Sequence, residues 1–204
     1  ALDLIKEFGA DGVRYGIMAS APAGGDILFD DKLCELGRNF CNKIWNALRL
    51  IKSWNVDHSL PQDEGRALGI RWIKSRMSEV DVELRQQYAQ FRLSEGVTSL
   101  YSFVWDDFCS IFLEIIKPTF GEASDPISYD AAIEVFEEIC KLLHPFMPFI
   151  TEEIWHQLHE RKGGDDCMIA RISDKMEEPD QSLLQNVSHI LTVKSAVLEL
   201  RNQY

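Results

Sequence analysis

Hydrophobic residues recur at steps of three and four along most of the chain, and this spacing predicts amphipathic helices. The clearest apolar stripe begins near Lys32 and continues to about Val56; its members are Leu33, Leu36, Phe40, Ile44, Ala47, Leu48 and Ile51. Further helices are predicted at about 64–91, 94–117, 128–144, 151–160 and 182–201. The chain is therefore predicted to be all-α, and the aromatic residues at helical spacing are predicted to be core residues, namely Trp72, Trp105, Phe108 and Trp155.

Glycine and proline interrupt the helical pattern in the first thirty residues. Gly9 is a predicted C-cap between short helices at 3–8 and 10–20, and the cluster at 21–25 predicts a loop. The apolar stretch between acids at 26–30 predicts an extended segment or single strand. One strand cannot form a sheet alone, so its partners would lie elsewhere in a larger protein.

Later breaks are also marked by specific residues. Pro118 ends the third long helix, and Pro145 and Pro148 interrupt the next one, because proline lacks the N–H that an interior turn requires. Ser128 is the predicted N-cap of the helix that follows the loop. Residues 167–172 are predicted to be extended.

The composition is that of an ordinary globular protein, with 46% hydrophobic and 26% charged residues. No apolar run approaches the roughly eighteen residues that span a bilayer, and no signal peptide is visible. Residues 1–9 resemble a helix that begins within a protein, without a start methionine, which suggests that the chain comes from a longer one.

Cysteine and histidine give no firm sign of a metal site. The five cysteines are Cys34, Cys41, Cys109, Cys140 and Cys167. They are scattered without a CxxC pair, so free thiols in a reducing cytosol are favoured. Glu152, His156 and His159 share one helix face, which a metal could use, but solvated faces commonly show this pattern and no metal site is predicted.

The formal net charge is −12, yet the basic residues are segregated. Residues 36–56 contain no Asp or Glu, and their polar side chains share one sector of a helical wheel opposite the apolar stripe. These side chains are Arg38, Asn39, Asn42, Lys43, Asn46, Arg49 and Ser53. A nucleic-acid-binding protein is usually basic overall, so only this segregation keeps such a role open.

A solvated helix face normally mixes charges of both signs, because Glu–Lys pairs at i, i+4 stabilise a helix by a few tenths of a kcal/mol. Here basic residues alternate instead with three asparagines, which are poor helix formers. Arg and Lys neutralise phosphates, and an Asn amide can donate to and accept from base edges and riboses. The pattern alone leaves nucleic-acid binding and a solvated face equally open.

No catalytic arrangement is visible in the sequence. It contains no P-loop, GxSxG or HExxH motif. The pairs Asp106–Asp107 and Glu137–Glu138 are adjacent in sequence, so their side chains point in different directions on a helix and cannot act as an acid/base pair. Neither a catalytic residue nor a bound cofactor is predicted.

Four stretches of the chain, at 8–15, 38–49, 105–117 and 143–155, resemble in that order segments of class I valyl-tRNA synthetases. Arg38–Arg49, RNFCNKIWNALR, resembles the opening helix of their anticodon-binding domain, and Phe8–Tyr15, FGADGVRY, resembles the segment after their KMSKS loop. Trp105–Lys117, WDDFCSIFLEIIK, and Leu143–Trp155, LHPFMPFITEEIW, are similar to two later segments, the second of which isoleucyl and leucyl relatives share. The first helix and Gly25–Ile27 favour the valyl branch.

The resemblance implies the anticodon-binding helix bundle of class Ia aminoacyl-tRNA synthetases, with a small N-terminal helical and strand appendage. Residues 1–33 would be the tail of the stem-contact region, 34–172 the bundle, and 173–204 a linker and the start of the C-terminal arm helix. The family's HIGH and KMSKS motifs and editing domain are absent from these residues. Aminoacylation with ATP and Mg²⁺ would therefore be carried out by other domains of the parent enzyme.

The same resemblance implies that the opening helix meets the anticodon stem-loop of tRNA(Val). The candidate contacts are Lys43, Asn46 and Arg49 first, then Arg38, Asn39 and Asn42, with Lys32 at the helix entrance and Leu50 beside them. Some relatives have an aromatic residue at the position of Leu50, so this chain lacks a surface for base stacking there. A cytoplasmic monomer without membrane contact is expected.

Two other interpretations stay open at this point. The chain could be the equivalent domain of an isoleucyl or leucyl enzyme, and anticodon loops should separate these by about 1–3 kcal/mol per misread base. It could also be a helical scaffold that binds another protein. Salt would separate that role from RNA binding, because the log affinity for single-stranded RNA falls with log salt by roughly 0.7 per phosphate contacted.

Overall fold

The computed structural model describes residues 2–21, 24–26, 29–172 and 177–203. Of residues 202 and 203 it describes the backbone alone. The α-helices are α1 (Leu2–Ala19), α2 (Asp31–Lys52), α3 (Glu64–Ala89), α4 (Leu93–Ser102), α5 (Leu113–Ile116), α6 (Pro126–Leu143), α7 (Pro148–Leu158) and α8 (Gln181–Gln203). A π-helical segment, Phe103–Phe112, joins α4 to α5, and a 3-10 turn, Cys167–Ile169, follows α7. The all-α prediction is confirmed for this part of the chain.

The direction of α1 changes at Gly9, as its sequence predicted. The backbone there has φ 77° and ψ 160°, a conformation that glycine adopts without the steric penalty of a side chain. The predicted strand at 26–30 includes residues 27 and 28, which lie outside the described part of the chain.

Close packing of α1 against α2 depends on glycine. A Cβ atom added to Gly37 of α2 would lie 2.7 Å from the carbonyl oxygen of Gly12, and one added to Gly16 would lie 2.6 Å from the Sγ of Cys34. Real Cβ atoms essentially never approach so closely, so the two backbones meet only because side chains are missing. This contact fixes α2 relative to the N-terminal segment.

The core lies between α2, α3, the π-helical segment and α6. Its largest fully buried side chains are Phe40, Phe103, Phe108, Phe112 and Phe136. The aromatic core prediction is confirmed for Trp72, Phe108 and Trp155. It is wrong in part for Trp105, whose side chain packs at the edge of the core and is only half-buried.

The third predicted helix is not α-helical throughout. Between Phe103 and Phe112 it is a π-helix, in which the N–H of Leu113 bonds to the carbonyl of Phe108, five residues earlier. The Ser110 hydroxyl also donates to the Trp105 carbonyl, at 2.7 Å. A π-helix this long is rare, since most are single turns inserted in α-helices. The hydrophobic spacing could not distinguish it from an α-helix.

The predicted N-cap of α6 is wrong by three residues. Asp125, not Ser128, caps the helix, because its carboxylate accepts the backbone N–H of Ser128 at 2.8 Å while Pro126 takes the first helical position. The fully buried Asp125 carboxylate also pairs with the Arg66 guanidinium of α3 at 3.0 Å. The ion pair fastens the start of α6 to the start of α3.

The corner between α6 and α7 is held by α1. The Asp11 carboxylate accepts the backbone N–H groups of Phe149 (3.3 Å) and Ile150 (2.7 Å), at the otherwise uncapped start of α7. Arg14 donates to the carbonyls of Phe146 (3.0 Å) and Pro145 (2.9 Å). Proline interrupts the helix here, as predicted, and the freed backbone groups find partners on α1.

One helix end and one predicted extended segment also differ from prediction. The stripe suggested that α2 continues to Val56, but the helix ends at Lys52 and Val56 forms an isolated parallel bridge with Ser124. Residues 167–172 do not form the predicted extended segment, since a 3-10 turn begins at Cys167. Helices long and apolar enough to cross a membrane are absent from the described residues.

Candidate nucleic-acid interface

The polar face of α2 points away from the bundle. Asn39, Asn42, Asn46 and Arg49 are exposed, while Arg38 and Lys43 at its borders are half-buried. Lys32 is exposed in the first turn, and Leu50, at 37% exposure, lies between the polar side chains. The structure therefore places all eight candidate contacts on one accessible side of one helix.

Most polar groups on this face have no partner within the part of the chain that the structure describes. Across the described residues, the side-chain amides of Asn39, Asn42 and Asn46 make no hydrogen bond, and Arg49 makes no ion pair. Lys74 of α3, by contrast, pairs with Glu134 at 2.9 Å. The donors and acceptors of α2 are thus available to a ligand.

Arg38 is the most constrained member of the set. Its guanidinium lies 3.4 Å from the Glu35 carboxylate and 5.6 Å from the centroid of the Phe8 ring. The ion pair is at the protein surface, where such a pair contributes little, whereas the Phe8 ring is buried. Arg38 also borders a cavity of about 430 Å³ beside the Gly9 kink, with Asn42 and Asp11 in its lining.

Lys43 contacts an aromatic residue that the sequence had assigned to the core. Its ammonium lies 5.1 Å from the centroid of the Trp105 ring, and Trp105 stacks on Tyr101 with centroids 5.3 Å apart and planes at 20°. Burial raises the pKa of the Cys109 thiol to about 12, although the charge of Lys43 opposes the shift. An aromatic surface therefore borders the polar face of α2.

The histidines near the end of α7 separate into two groups. His156 Nε2 lies 3.3 Å from Glu152 and 3.2 Å from Asp166, and these three residues could hold a metal ion. His159 instead lies 3.6 Å from Glu137, so it does not join Glu152 and His156 as their shared face suggested. Glu152 also has a structural role, since it accepts the backbone N–H of Cys167 at 2.7 Å.

All five cysteines are free thiols, as predicted. Cys34, Cys140 and Cys167 are buried, and burial raises the pKa of each of these thiols above its usual value. A raised pKa keeps the thiol protonated at neutral pH, and the protonated form is a poor nucleophile. These residues serve as small apolar side chains.

Comparison with known proteins adds a family match. A family model described as "Anticodon-binding domain of tRNA ligase" matches residues 70–204. The chain is 45% identical to a valine–tRNA ligase of Porphyromonas gingivalis over 198 residues, which is 97% of this chain and 22% of that protein. It is 48% identical to a valine–tRNA ligase of Bacteroides thetaiotaomicron over 174 residues, 84% of this chain and 20% of that protein.

A solved structure shares the fold. The LeuRS in a ternary complex of Agrobacterium radiobacter K84 agnB2 LeuRS, tRNA and LeuAMS matches with a TM-score of 0.55 and 17% sequence identity, over 90% of this chain and 21% of that chain. The chain thus spans about a fifth of the length of these proteins. The family model begins after α2, but the 97% coverage by the Porphyromonas relative includes this helix.

Proposed function

Because the chain belongs to the family of anticodon-binding domains of tRNA ligases, we propose that it holds the anticodon stem-loop of a tRNA on the outward face of α2. One observation carries the proposal: arginine, lysine and asparagine side chains lie exposed together on this face, and α2 has no acid after Glu35. The whole protein would be a valine–tRNA ligase and its tRNA substrate tRNA(Val), as the similarity to valine–tRNA ligases suggests.

Each type of side chain on the face suits one part of an RNA loop. Arg49 and Lys43 carry the charge that neutralises phosphates, and the exposed guanidinium of Arg49 can bind a phosphate with two hydrogen bonds. Asn46 lies between them along the helix with its amide free, in position to donate to and accept from the edge of an unstacked base. The cations would position the loop and the amides would read it.

The negative net charge of the chain favours RNA binding at one restricted surface. A chain with a net charge of −12 repels RNA over most of its surface, so a strand approaches only where cations are segregated. Ligation chemistry, with ATP and Mg²⁺, would take place in parts of the enzyme outside these 204 residues. We propose a monomer that acts in the cytoplasm, with the remaining domains of its enzyme as its protein partners.

A salt titration of RNA binding tests the proposal. An RNA hairpin with the tRNA(Val) anticodon loop should bind the 204-residue chain with a log affinity that falls linearly with log salt, by roughly 0.7 per phosphate contacted. A hairpin with the tRNA(Ile) anticodon should bind less tightly, by about 1–3 kcal/mol per misread base. Equal affinity for a hairpin of scrambled loop sequence, or affinity that salt leaves unchanged, would refute specific anticodon binding.

A further inference from the structure

A row of aromatic side chains reaches the surface at the edge of the α2 face. Tyr15 packs against Phe40 at 5.9 Å between ring centroids, Phe40 against Tyr101 at 4.9 Å, and Tyr101 stacks on Trp105 at 5.3 Å. Phe40 is fully buried, whereas Trp105 is half-buried, so the row leads from the core to an accessible indole. Packed rings hold this indole in place.

Lys43 covers that indole with a contact that is easy to break. Its ammonium lies 5.1 Å from the ring centroid and has no ion-pair partner among the described residues. A cation–π contact at a half-exposed site changes an equilibrium only about 2- to 5-fold. A stacked nucleobase contributes more, roughly 5- to 100-fold in affinity per base.

We propose that Trp105 is the stacking surface for one unpaired base of the bound loop, and that Lys43 uncovers it by moving its ammonium from the indole to a phosphate. This inference rests on the proposed function and adds a specific contact to it. The exchange preserves a partner for the lysine, because a phosphate oxygen replaces the ring, and it adds a base to an aromatic face fixed from behind by Tyr101.

Two features favour Trp105 over the other residues of this surface. Leu50, the exposed apolar side chain of the face itself, has no π-system on which a base could stack. Trp105 is also part of the ten-residue π-helical segment, and its carbonyl is held by the Ser110 hydroxyl. π-Helical geometry occurs frequently at functional sites, where it places a side chain that a regular helix would direct elsewhere.

Fluorescence of 2-aminopurine at successive loop positions of the RNA hairpin tests the inference, because stacking on an aromatic ring quenches this base analogue. One loop position should be quenched by the wild-type chain. Trp105→Leu should abolish that quenching and weaken binding roughly 5- to 100-fold, while Trp105→Phe should retain most of both. Lys43→Met should weaken binding, since its uncharged side chain cannot bind a phosphate, yet preserve the quenching.

Trp45→Leu is the matched control, since Trp45 is a half-buried tryptophan of α2 that packs against the same core. It should leave affinity within about 2-fold of wild type and the quenching unchanged, and circular dichroism should show equal helicity for both tryptophan variants. If Trp45→Leu weakens binding as much as Trp105→Leu, or if Trp105→Leu leaves binding and quenching unaltered, the stacking role is refuted while anticodon binding stands. A wild-type chain that binds no hairpin refutes both proposals.

Discussion

Asp11 in α1 caps α7, a helix distant in sequence, because its carboxylate accepts the backbone N–H of Ile150, 139 residues later, at 2.7 Å. The first turn of α7 leaves its N–H groups without partners inside the helix, so a carboxylate at this position satisfies them and interacts favourably with the helix dipole. Arg14, one turn further along α1, binds the carbonyls that precede α7. α1 therefore orders the corner between α6 and α7.

Replacement of Asp11 tests this link. Asp11→Ala should lower the free energy of unfolding by about 1–2 kcal/mol at pH 7, as the loss of an N-cap does, and urea denaturation with an unchanged m-value would measure it. Asp11→Asn should lower it less, because the amide oxygen still accepts an N–H. A loss below about 0.3 kcal/mol for the alanine variant, close to the noise of the method, would contradict the capping role.

The pH dependence of the Asp11 variants has a defined sign. Burial raises the pKa of the Asp11 carboxyl, although the N–H groups of Ile150 and Phe149 and the charge of Arg14 oppose the shift. A group whose folded pKa is raised favours folding most when it is protonated. The stability of the wild type relative to Asp11→Asn should therefore fall as pH rises from below about 3.9 through the raised pKa, which urea denaturation at several pH values would measure.

Gly37→Ala should separate α1 from α2. The new methyl group would lie 2.7 Å from the Gly12 carbonyl oxygen and 2.8 Å from the Cβ of Tyr15, so a backbone must move. We expect a loss of about 1–3 kcal/mol, typical of overpacked cores, measured by urea denaturation. Gly163→Ala is the control, since nothing lies within 4 Å of its added Cβ, and it should leave stability within about 0.5 kcal/mol of wild type.

The sequence predicted the helices well because their stripes are regular. Phe40, Ile44, Ala47 and Ile51 recur at three- and four-residue steps, and all four are buried in α2. It failed where a distant partner decides the outcome. Asp125 caps α6 instead of Ser128. The Arg66 guanidinium that compensates the burial of the Asp125 carboxylate is distant in sequence, so no local pattern predicts it.

Only the α2 part of the candidate site could be predicted from the sequence. The exposed residues of α2 follow from the helical wheel, because a helix of known apolar face must present the opposite face to solvent. Trp105 was assigned to the core by its spacing, and its contact with Lys43 depends on how the π-helical segment lies against α2. Such packing between elements distant in sequence has no local signature.

The Arg66–Asp125 pair should contribute to the response of the fold to acid. Burial alone would raise the pKa of the Asp125 carboxyl, but bonds from Ser128 and Arg66 outweigh it and hold the pKa below its ordinary value. A lowered folded pKa gives stability that is present above the unfolded value of about 3.9 and lost as pH falls through the folded value. The stability difference between wild type and Asp125→Asn should therefore shrink below about pH 4 in urea denaturation.

Replacement of Arg66 alone should strongly lower the free energy of unfolding at neutral pH. Arg66→Ala leaves the fully buried Asp125 carboxylate without its counter-charge, and breaking such pairs costs about 3 kcal/mol. Lys74→Ala is the control, since its pair with Glu134 is about half exposed on both sides and should contribute less than about 1 kcal/mol. Urea denaturation at pH 7 would measure both losses. Similar losses for the two variants would show that the buried Arg66–Asp125 pair stabilises the fold no more than the exposed pair does.

Removal of two cations from α2 should weaken RNA binding through the salt-dependent part of the affinity. The double variant Lys43→Ala/Arg49→Ala should reduce the slope of log affinity against log salt by roughly 0.7 for each phosphate that it no longer neutralises, measured with the hairpin that carries the tRNA(Val) anticodon loop. Helicity should be unchanged, because Arg49 is exposed and Lys43 is only half-buried. The control Arg71→Ala/Lys194→Ala removes the same charge from exposed positions on α3 and α8, and its slope should match the wild type.

The asparagines of α2 give a prediction in which stability and binding change in opposite directions. Alanine is a better helix former than asparagine by up to about 0.7 kcal/mol per residue, and the amides of Asn39, Asn42 and Asn46 bond to nothing among the described residues. Replacing all three by alanine should therefore raise the free energy of unfolding by about 1–2 kcal/mol, while it weakens hairpin binding and reduces discrimination between anticodon loops by about 1–3 kcal/mol for each base that an amide reads. Urea denaturation and hairpin titrations on one protein preparation would measure both quantities. If the amides served only solvation, the variant would gain stability and bind both hairpins as the wild type does, and that result would remove the asparagines from the interface.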